Sequence, residues 1–363
     1  MSTNKIKDTL TRFRDDILNG KLPYGSLLPS EKELATEMQV SRPTVAKIYN
    51  SLQKEGLLKK TPGQGTTVVF NGERKKNTFG LLLPGAGESE IFGVIHDHFL
   101  AIEKEKELKF LWDGAIANNA QVRQNTIISI CERYLDEKVS GVFFAPLERT
   151  DNAELVNNQV CALFDQENIP VVLIDRDIYS FPNRSKYPVI GLDNFQAGYV
   201  MTNHLINAGC EKIYFFYRAY SANSIYKRIA GCRSACFDAN ISFGPKDIIV
   251  GDPGDTHLMS RLKIIPGKTG VLCANDSTAA VVMASLKQTG SLVTKDVLVA
   301  GYDDMKYGKV LEPSLTTFQQ PLFEIVTSSY EMMLSRLLHQ HLVAADVNLT
   351  GALIARESTK FSY

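Results

Sequence analysis

From residue 78 onward the chain repeats one pattern, a short apolar run followed by a helix-length polar-apolar segment. The runs are FGLLLP, KFLWD, GVFFAP, PVVLIDR, KIYFFY, DIIV, TGVLCAND and DVLVAGYDD, and residues 119–138, 151–168, 194–209 and 277–290 are among the stretches between them. Strand alternating with helix at this period predicts α/β architecture, parallel sheets with helices on both faces. Several runs are apolar at consecutive positions, as strands covered on both sides require. They are too many for one small sheet, so two α/β lobes with a ligand cleft between them are expected.

In such sheets ligands bind beyond the carboxyl ends of the strands. The residues that follow the runs are Asp113, Ala145-Pro146, Asp175-Arg176, Asn275-Asp276 and Asp303-Asp304. Carboxylates, amides and guanidinium groups converging on one crevice suit a neutral polyhydroxy ligand, because each donates or accepts in a fixed direction. Phe92, in the first strand-to-helix loop, is the candidate to stack on the apolar face of a sugar ring. Any one of these residues alone would read as a strand-end cap or a surface ion pair.

The first 77 residues have another texture. Ile6, Leu10, Phe13, Ile17 and Leu18 make one stripe on a helix over residues 5–19, stopped by Gly20. Ser30 stands three residues before Glu33, a capping-box pattern that opens a second helix with Leu34 and Met38 inward. Ser41 and Pro43 start a third, with Val45, Ile48, Tyr49 and Leu52 inward and Thr44, Lys47 and Asn50 outward. LLKKTPGQGTTVVF then reads as strand, Gly-rich turn, strand. Three helices and a hairpin predict a winged helix-turn-helix, which offers the start of its third helix to the DNA major groove. The candidate contacts are Ser30, Lys32, Ser41, Arg42, Thr44 and Lys47 on the helices, and Gln64, Gly65 and Thr66 on the wing. Charge agrees with a polyanionic partner: residues 1–77 hold 14 Lys+Arg against 8 Asp+Glu, the other 286 residues 26 against 32, so +6 is joined to −6.

With 363 residues the chain exceeds one ordinary domain. The expected division is a winged domain over 1–70, a charged linker over 71–77, and a two-lobed effector-binding and dimerisation domain over 78–363. No apolar run reaches the length of a membrane span, and the first residues lack the apolar stretch of a secretory signal. Six dispersed cysteines without a CxxC pair fit reduced, buried thiols and a cytoplasmic protein. No phosphate-cradling GxxxxGK[ST] and no GxSxG elbow occur, and GAGESE lacks the third glycine of a dinucleotide fingerprint. His96/His98 and His339/His341 are two apart, the wrong spacing for one helical face. Neither cofactor nor metal is expected, and no enzymatic activity.

Two resemblances sharpen these expectations. PSEKELATEMQVSRPTVAKIYNSLQKEGLLKKTPGQGTTV resembles the DNA-binding domain of GntR-family transcription regulators, over roughly residues 5–70. Members of that family usually carry an arginine just after the Thr-Val pair, where this chain has Ala46 and then Lys47. IPVVLIDRD, VIGLDNFQAGYVMTNHLINAGCEKI, Arg228 with Gly231, VLCANDSTAA, VLVAGYDD and LTTFQQP resemble the effector domain of the LacI/GalR family. That resemblance implies a fold like periplasmic sugar-binding proteins. It also implies a ligand held by Asp175, Arg176, Arg228, Asn275, Asp303 and Gln320, with Phe92 in a loop of no sharp motif. Arg228 is a candidate on this ground alone. LacI-type hinge helices have no counterpart in the joint NGERKKN. The resemblance is to bacterial arabinose-type regulators, and it implies a dimeric repressor of carbohydrate-utilisation genes that binds double-stranded operator DNA and a monosaccharide. A purine or other small polar effector, and a sugar-binding or sugar-processing protein without a DNA role, are the alternatives.

Overall fold

The computed structural model describes residues 2–18, 20–70, 77–84, 90–106, 108–114, 120–148, 152–180, 182–219, 221–338 and 343–361, with side chains of 2–8 and 120–123 not included. Contacts divide the chain into two compact units, Met1–Lys76 and Asn77–Tyr363. Residues 71–76 of the expected linker lie outside the described residues.

The first unit runs α1 (Ser2–Leu18), β1 (Leu27–Leu28), α2 (Glu31–Met38), α3 (Arg42–Lys54), β2 (Leu58–Thr61) and β3 (Gly65–Val68). Its core joins Phe13 and Ile17 of α1, Leu34 of α2, and Val45, Ile48, Tyr49 and Leu52 of α3, the apolar stripes of the three helices. The capping box forms: Ser30 Oγ accepts from Glu33 N–H at 3.2 Å, and Glu33 Oε2 accepts from Ser30 N–H at 2.8 Å. The wing is a three-stranded sheet of order β1-β3-β2, because the two leucines of the α1–α2 connection pair with β3. Its tip turns at Gly63 and Gly65, whose φ angles of 79° and 93° exact a steric penalty from any other residue.

The second unit begins with β4 (Thr78–Leu82), α4 (Ile91–Glu105), β5 (Lys109–Leu111), α5 (Ala120–Asp136), β6 (Gly141–Phe144), α6 (Ala153–Gln166), β7 (Val171–Ile174) and β8 (Val189–Leu192). It continues through α7 (Asn194–Asn207), β9 (Lys212–Tyr217), α8 (Ser224–Asp238), β10 (Ile248–Val250), α9 (Thr256–Met259), β11 (Thr269–Cys273), α10 (Asp276–Gln288), β12 (Val297–Tyr302) and β13 (Thr316–Gln319). The chain then follows α11 (Leu322–Leu338), β14 (Asp346–Leu349) and β15 (Ala352–Ile354). Two six-stranded sheets result, β14-β8-β7-β6-β4-β5 and β10-β9-β11-β12-β13-β15, parallel throughout except for the β13/β15 pair. Strands β4–β8 and β9–β13 have the same winding, one outward step and then three in the other direction, so the lobes repeat one topology.

Alternation along the central strands divides each lobe's core. Phe79, Leu81, Phe143, Val172 and Ile174 face α4 and α11, whereas Leu82, Val142, Phe144, Val171 and Leu173 face α5 and α6. The chain passes between lobes three times: at Asp193, at Gln320-Pro321 and at Thr350-Gly351. Helices α7 and α8 pack with their backbones in contact. A Cβ at Gly198 would stand 2.0 Å from Arg228 O, and one at Gly231 2.0 Å from Phe195 O. Among the described residues no helix is long and apolar enough to cross a membrane.

Gly231→Ala is therefore expected to destabilise the second unit by about 1–3 kcal/mol through overpacking against backbone that has no rotamer to yield. Chemical denaturation of the purified protein would show it; an unchanged midpoint would mean that α7 and α8 separate freely.

Candidate functional site

In the first unit, α2 and the start of α3 present Lys32, Ser41, Arg42 and Lys47 as exposed side chains, with Thr44 half-buried. Ser30 is exposed but its hydroxyl is engaged in the capping box. Ser41 holds the N-cap position of α3 without a side-chain cap; its Oγ lies 2.8 Å from Thr44 Oγ1. Glu31 gathers the basic groups: Arg42 Nε donates to it at 3.2 Å and Lys60 Nζ at 2.6 Å. The Lys60 bond, chiefly, holds the Glu31 carboxyl below the usual carboxylate range. One carboxylate thus ties the first residue of α3 to the wing. Gln64 and Gly65 are exposed at the wing tip, whereas Thr66 is turned into the core at 7% exposure. The alternation that places Val68 inward also places Thr66 inward, so its side chain is withdrawn from the surface expected of it.

In the second unit the ends of the parallel strands converge on a crevice. The first lobe contributes Ile91, Glu148, Asp175 and Arg176, the second contributes Arg228, Asn275 and Asp303, and Gln320 enters from the second crossing. Six of the seven residues expected around a ligand are thereby brought together. A wider opening shares Asp303 and Gln320 with it, but the buried charged groups converge on the narrower crevice.

Asp175 and Asp303 occupy matching places in the repeated lobes, each just after the fourth strand of its set. Both sit at positive φ, 72° and 109°, a conformation that a non-glycine residue adopts at a cost on the order of 1 kcal/mol or more. Each is fixed by its amide to the next strand, Asp175 N–H to Ile190 O at 2.8 Å and Asp303 N–H to Phe318 O at 2.9 Å. Arg176 donates from Nε to Pro146 O at 2.9 Å, and from Nη1 to Asp175 at 3.0 Å and Glu148 at 3.2 Å. Among the described residues its Nη2 is buried without a partner, as is Gln320 Oε1. Gln320 Nε2 donates to Asp303 Oδ1 at 2.6 Å.

Arg228, 5% exposed, lies with its guanidinium 4.4 Å above the Tyr302 ring. It donates from Nε to Asn194 Oδ1 at 2.7 Å and from Nη1 to Ala274 O at 2.5 Å. Asn275 caps α10, its Oδ1 accepting from Thr278 N–H at 2.9 Å, so part of its hydrogen-bonding capacity is structural. Burial pushes the Asp175 carboxyl up despite the nearby guanidinium of Arg176, and pushes Asp303 up to about 7 despite Arg228 and Gln320. Asp276, fully buried behind them, rises to about 8 through burial and the charge of Asp303; it accepts from Thr317 Oγ1 and Met305 N–H.

Other candidates are placed elsewhere. Phe92 is in the core at 1% exposure with Arg176 over its ring at 5.6 Å, and its neighbour Ile91 faces the crevice. The helical turn that points Ile91 to the cleft points Phe92 into the lobe, so stacking on a ligand does not fit its position. Asp113 is ion-paired with Arg133, and Asp304 with Arg356. His96 stacks on Trp112 and His98 meets Phe323 edge-on, while 339–342, which hold the other two paired histidines, lie outside the described residues. Cys232 and Cys236 are buried in α8. Among the described residues no cluster of His, Cys, Asp or Glu is arranged to hold a metal ion. Glu148 and Asn194 were not among the expected site residues, though each closely follows the end of a strand.

Residues 5–68 match the family described as bacterial regulatory proteins, gntR family, and residues 202–359 match the periplasmic binding protein-like domain. The arabinose metabolism transcriptional repressor of Geobacillus stearothermophilus is 25% identical over 358 residues, 95% of this chain and 94% of that protein. The HTH-type transcriptional repressor PurR of Vibrio vulnificus is 28% identical over 197 residues, 53% of this chain and 58% of its own length. In fold, the second unit is similar to a LacI family transcriptional regulator from Enterococcus faecium with bound ribose: TM-score 0.61 and 20% identity, covering 78% of this chain and 98% of that one.

The raised carboxyl of Asp303 has a thermodynamic sign. The folded state holds its proton more tightly than the unfolded chain, whose carboxyl titrates near 4, so its contribution to stability falls as pH rises from about 4 to about 7 and is lowest above that. Asp303→Asn is expected to raise the stability of the ligand-free protein by about 1–2 kcal/mol at pH 8, with the gain vanishing near pH 4. Denaturation at the two pH values reads the difference, and equal gains at both would show that Asp303 is ionised throughout.

Proposed function

We propose that this chain, which joins a gntR-family regulatory domain to a periplasmic binding protein-like domain, is a repressor of carbohydrate-utilisation genes whose hold on DNA is set by a monosaccharide in the crevice of its second unit. The observation that carries the reading is the convergence of Asp175, Arg176, Arg228, Asn275, Asp303 and Gln320 on one crevice. The relative of Geobacillus stearothermophilus, matched over nearly its whole length, is named for arabinose metabolism, and the Enterococcus faecium regulator of similar fold holds ribose. Those names support a sugar effector; the match to PurR supports the rival, a purine.

In the proposed mechanism Arg42, Ser41 and Lys47 meet the major groove while Gln64 and Gly65 reach the adjacent backbone. A two-fold dimer in the cytoplasm, with no catalytic role, would read half-sites about one helical turn apart. The sugar brings the lobes together across the three crossings and so alters the spacing of the DNA-binding units. By linkage, the factor the sugar takes from DNA affinity is the factor DNA takes from sugar affinity.

On an operator recovered by in vitro selection, Arg42→Ala is expected to lose about 1–3 kcal/mol of specific binding, measured by fluorescence anisotropy at fixed salt. Arg228→Ala is expected to keep operator affinity and lose the response to sugar. Full operator binding by the first variant, or its loss in the second, contradicts this assignment of roles.

A further inference from the structure

We infer that Asp276, fully buried and with no face on the crevice, is a positioning residue for effector binding: it holds the turn that carries Asp303 to the crevice wall. The inference rests on the reading of the crevice as the effector site. Three successive amides follow the end of β12, and each is fixed. Asp303 N–H donates to Phe318 O at 2.9 Å, Asp304 N–H to Thr317 Oγ1 at 3.1 Å and Met305 N–H to Asp276 Oδ2 at 2.8 Å. Thr317 in turn donates from Oγ1 to Asp276 Oδ1 at 2.7 Å. Two of the three amides are thus tied to one carboxyl, directly or through a hydroxyl. They hold Asp303 and Asp304 in consecutive left-handed conformations, φ 109° and 53°, which non-glycine residues keep only where their surroundings impose them.

The repeated topology shows that the fold does not require this carboxyl. Asp276 is the third residue after β11, and the third after β6, its matching place in the first lobe, is Leu147. Thr317 stands in register with Gly301 on β12, and the matching pair is Val189 with Leu173 on β7. Leu147, Leu173 and Val189 belong to one apolar cluster. The second lobe replaces all three, with aspartate, glycine and threonine. A Cβ at Gly301 would stand 2.4 Å from Asp276 Oδ1, so the glycine clears the space that the carboxyl fills. An acidic residue in the first turn of a helix is ordinary, but the oxygens of Asp276 are bonded to β13 and to the turn after β12. A carboxyl drawn wholly from water weakens a lobe that an apolar trio would fill as well. What it provides is a fixed direction for Asp303, in the lobe where Asn275, its neighbour in the chain, also lines the crevice.

Isothermal titration calorimetry on the full-length protein tests this. Asp276→Asn and Thr317→Val loosen the turn, Thr317→Ser keeps the hydroxyl, and Ser358→Ala is the control. Ser358 Oγ donates to Val299 O and accepts from Thr316 N–H, so its loss weakens the same two strands away from the turn. The probes are L-arabinose, L-fucose, D-xylose, D-ribose, D-galactose and hypoxanthine. The probe that binds the wild type is expected to bind Asp276→Asn and Thr317→Val about tenfold more weakly, the effect of one lost hydrogen bond to a charged group, and to bind the other two within about threefold. Operator affinity should be the same in all four, and hydrogen–deuterium exchange at 303–305 should quicken in the first two alone. Unchanged ligand affinity in Thr317→Val overturns the inference and leaves the effector reading standing. An equal loss in Ser358→Ala does the same, because general stability would then be the cause. Should Asp276→Asn fail to fold, Thr317→Val against Thr317→Ser decides. Binding of hypoxanthine alone overturns the sugar reading, and the variants still decide the role of Asp276. A wild type that binds none of the probes overturns the effector reading and this inference with it.

Discussion

A buried guanidinium organises the second unit. Arg228 is drawn from water into the junction of the two lobes, where an unpaired charge would cost several kcal/mol. It is tolerated because three elements meet it at once: Asn194 at the start of α7, Ala274 at the end of β11 and the ring of Tyr302 in β12. The contact with Asn194 requires α7 and α8 to approach with their backbones touching, which Gly198 and Gly231 permit. Asn194 immediately follows the first crossing between lobes. Arg228 therefore links the floor of the crevice to the first crossing between the lobes.

The second crossing is tied in as directly. Gln320 spans from β13 to α11 and gives its amide to Asp303, while Gln319 and Arg356 both hold Asp304. Two groups facing the crevice are thus bonded to, or part of, the strands that join the lobes. The matching positive-φ aspartates at β7 and β12 carry the costs of this arrangement, in backbone strain and in carboxyl groups pushed toward neutrality by burial. Such costs are those expected of groups kept for a ligand rather than for stability.

Much of this was legible in the residue order. The strands β6, β7, β11 and β12 are continuous apolar runs because both faces of a central parallel strand are covered, and the polar residues after them mark the crevice. The strands β8, β13, β14 and β15 were not read as such. β14 and β15 are short edge strands of mixed polarity, and β13 is rich in threonine, so their place is set by pairing with distant segments. Phe92 and Thr66 show the same limit at single-residue scale. A shift of one position turns a helix side chain by about 100° and a strand side chain to the opposite face, which composition does not register.

The sequence by itself determined the two-unit organisation, the winged helix with its capping box and glycine turn, the doubly covered sheets, and the set of strand ends from which a binding site is built. Each of these depends on periodicity and on residues a few positions apart. Tertiary structure alone decided that Arg228 bonds Asn194, that Glu148 joins Asp175 around Arg176, that Ile91 rather than Phe92 faces the crevice, and that Asp113 does not reach it. Those outcomes depend on how helices pack and sheets twist over separations of tens to hundreds of residues. They are set by which side chains share a buried space, a quantity that no local pattern carries.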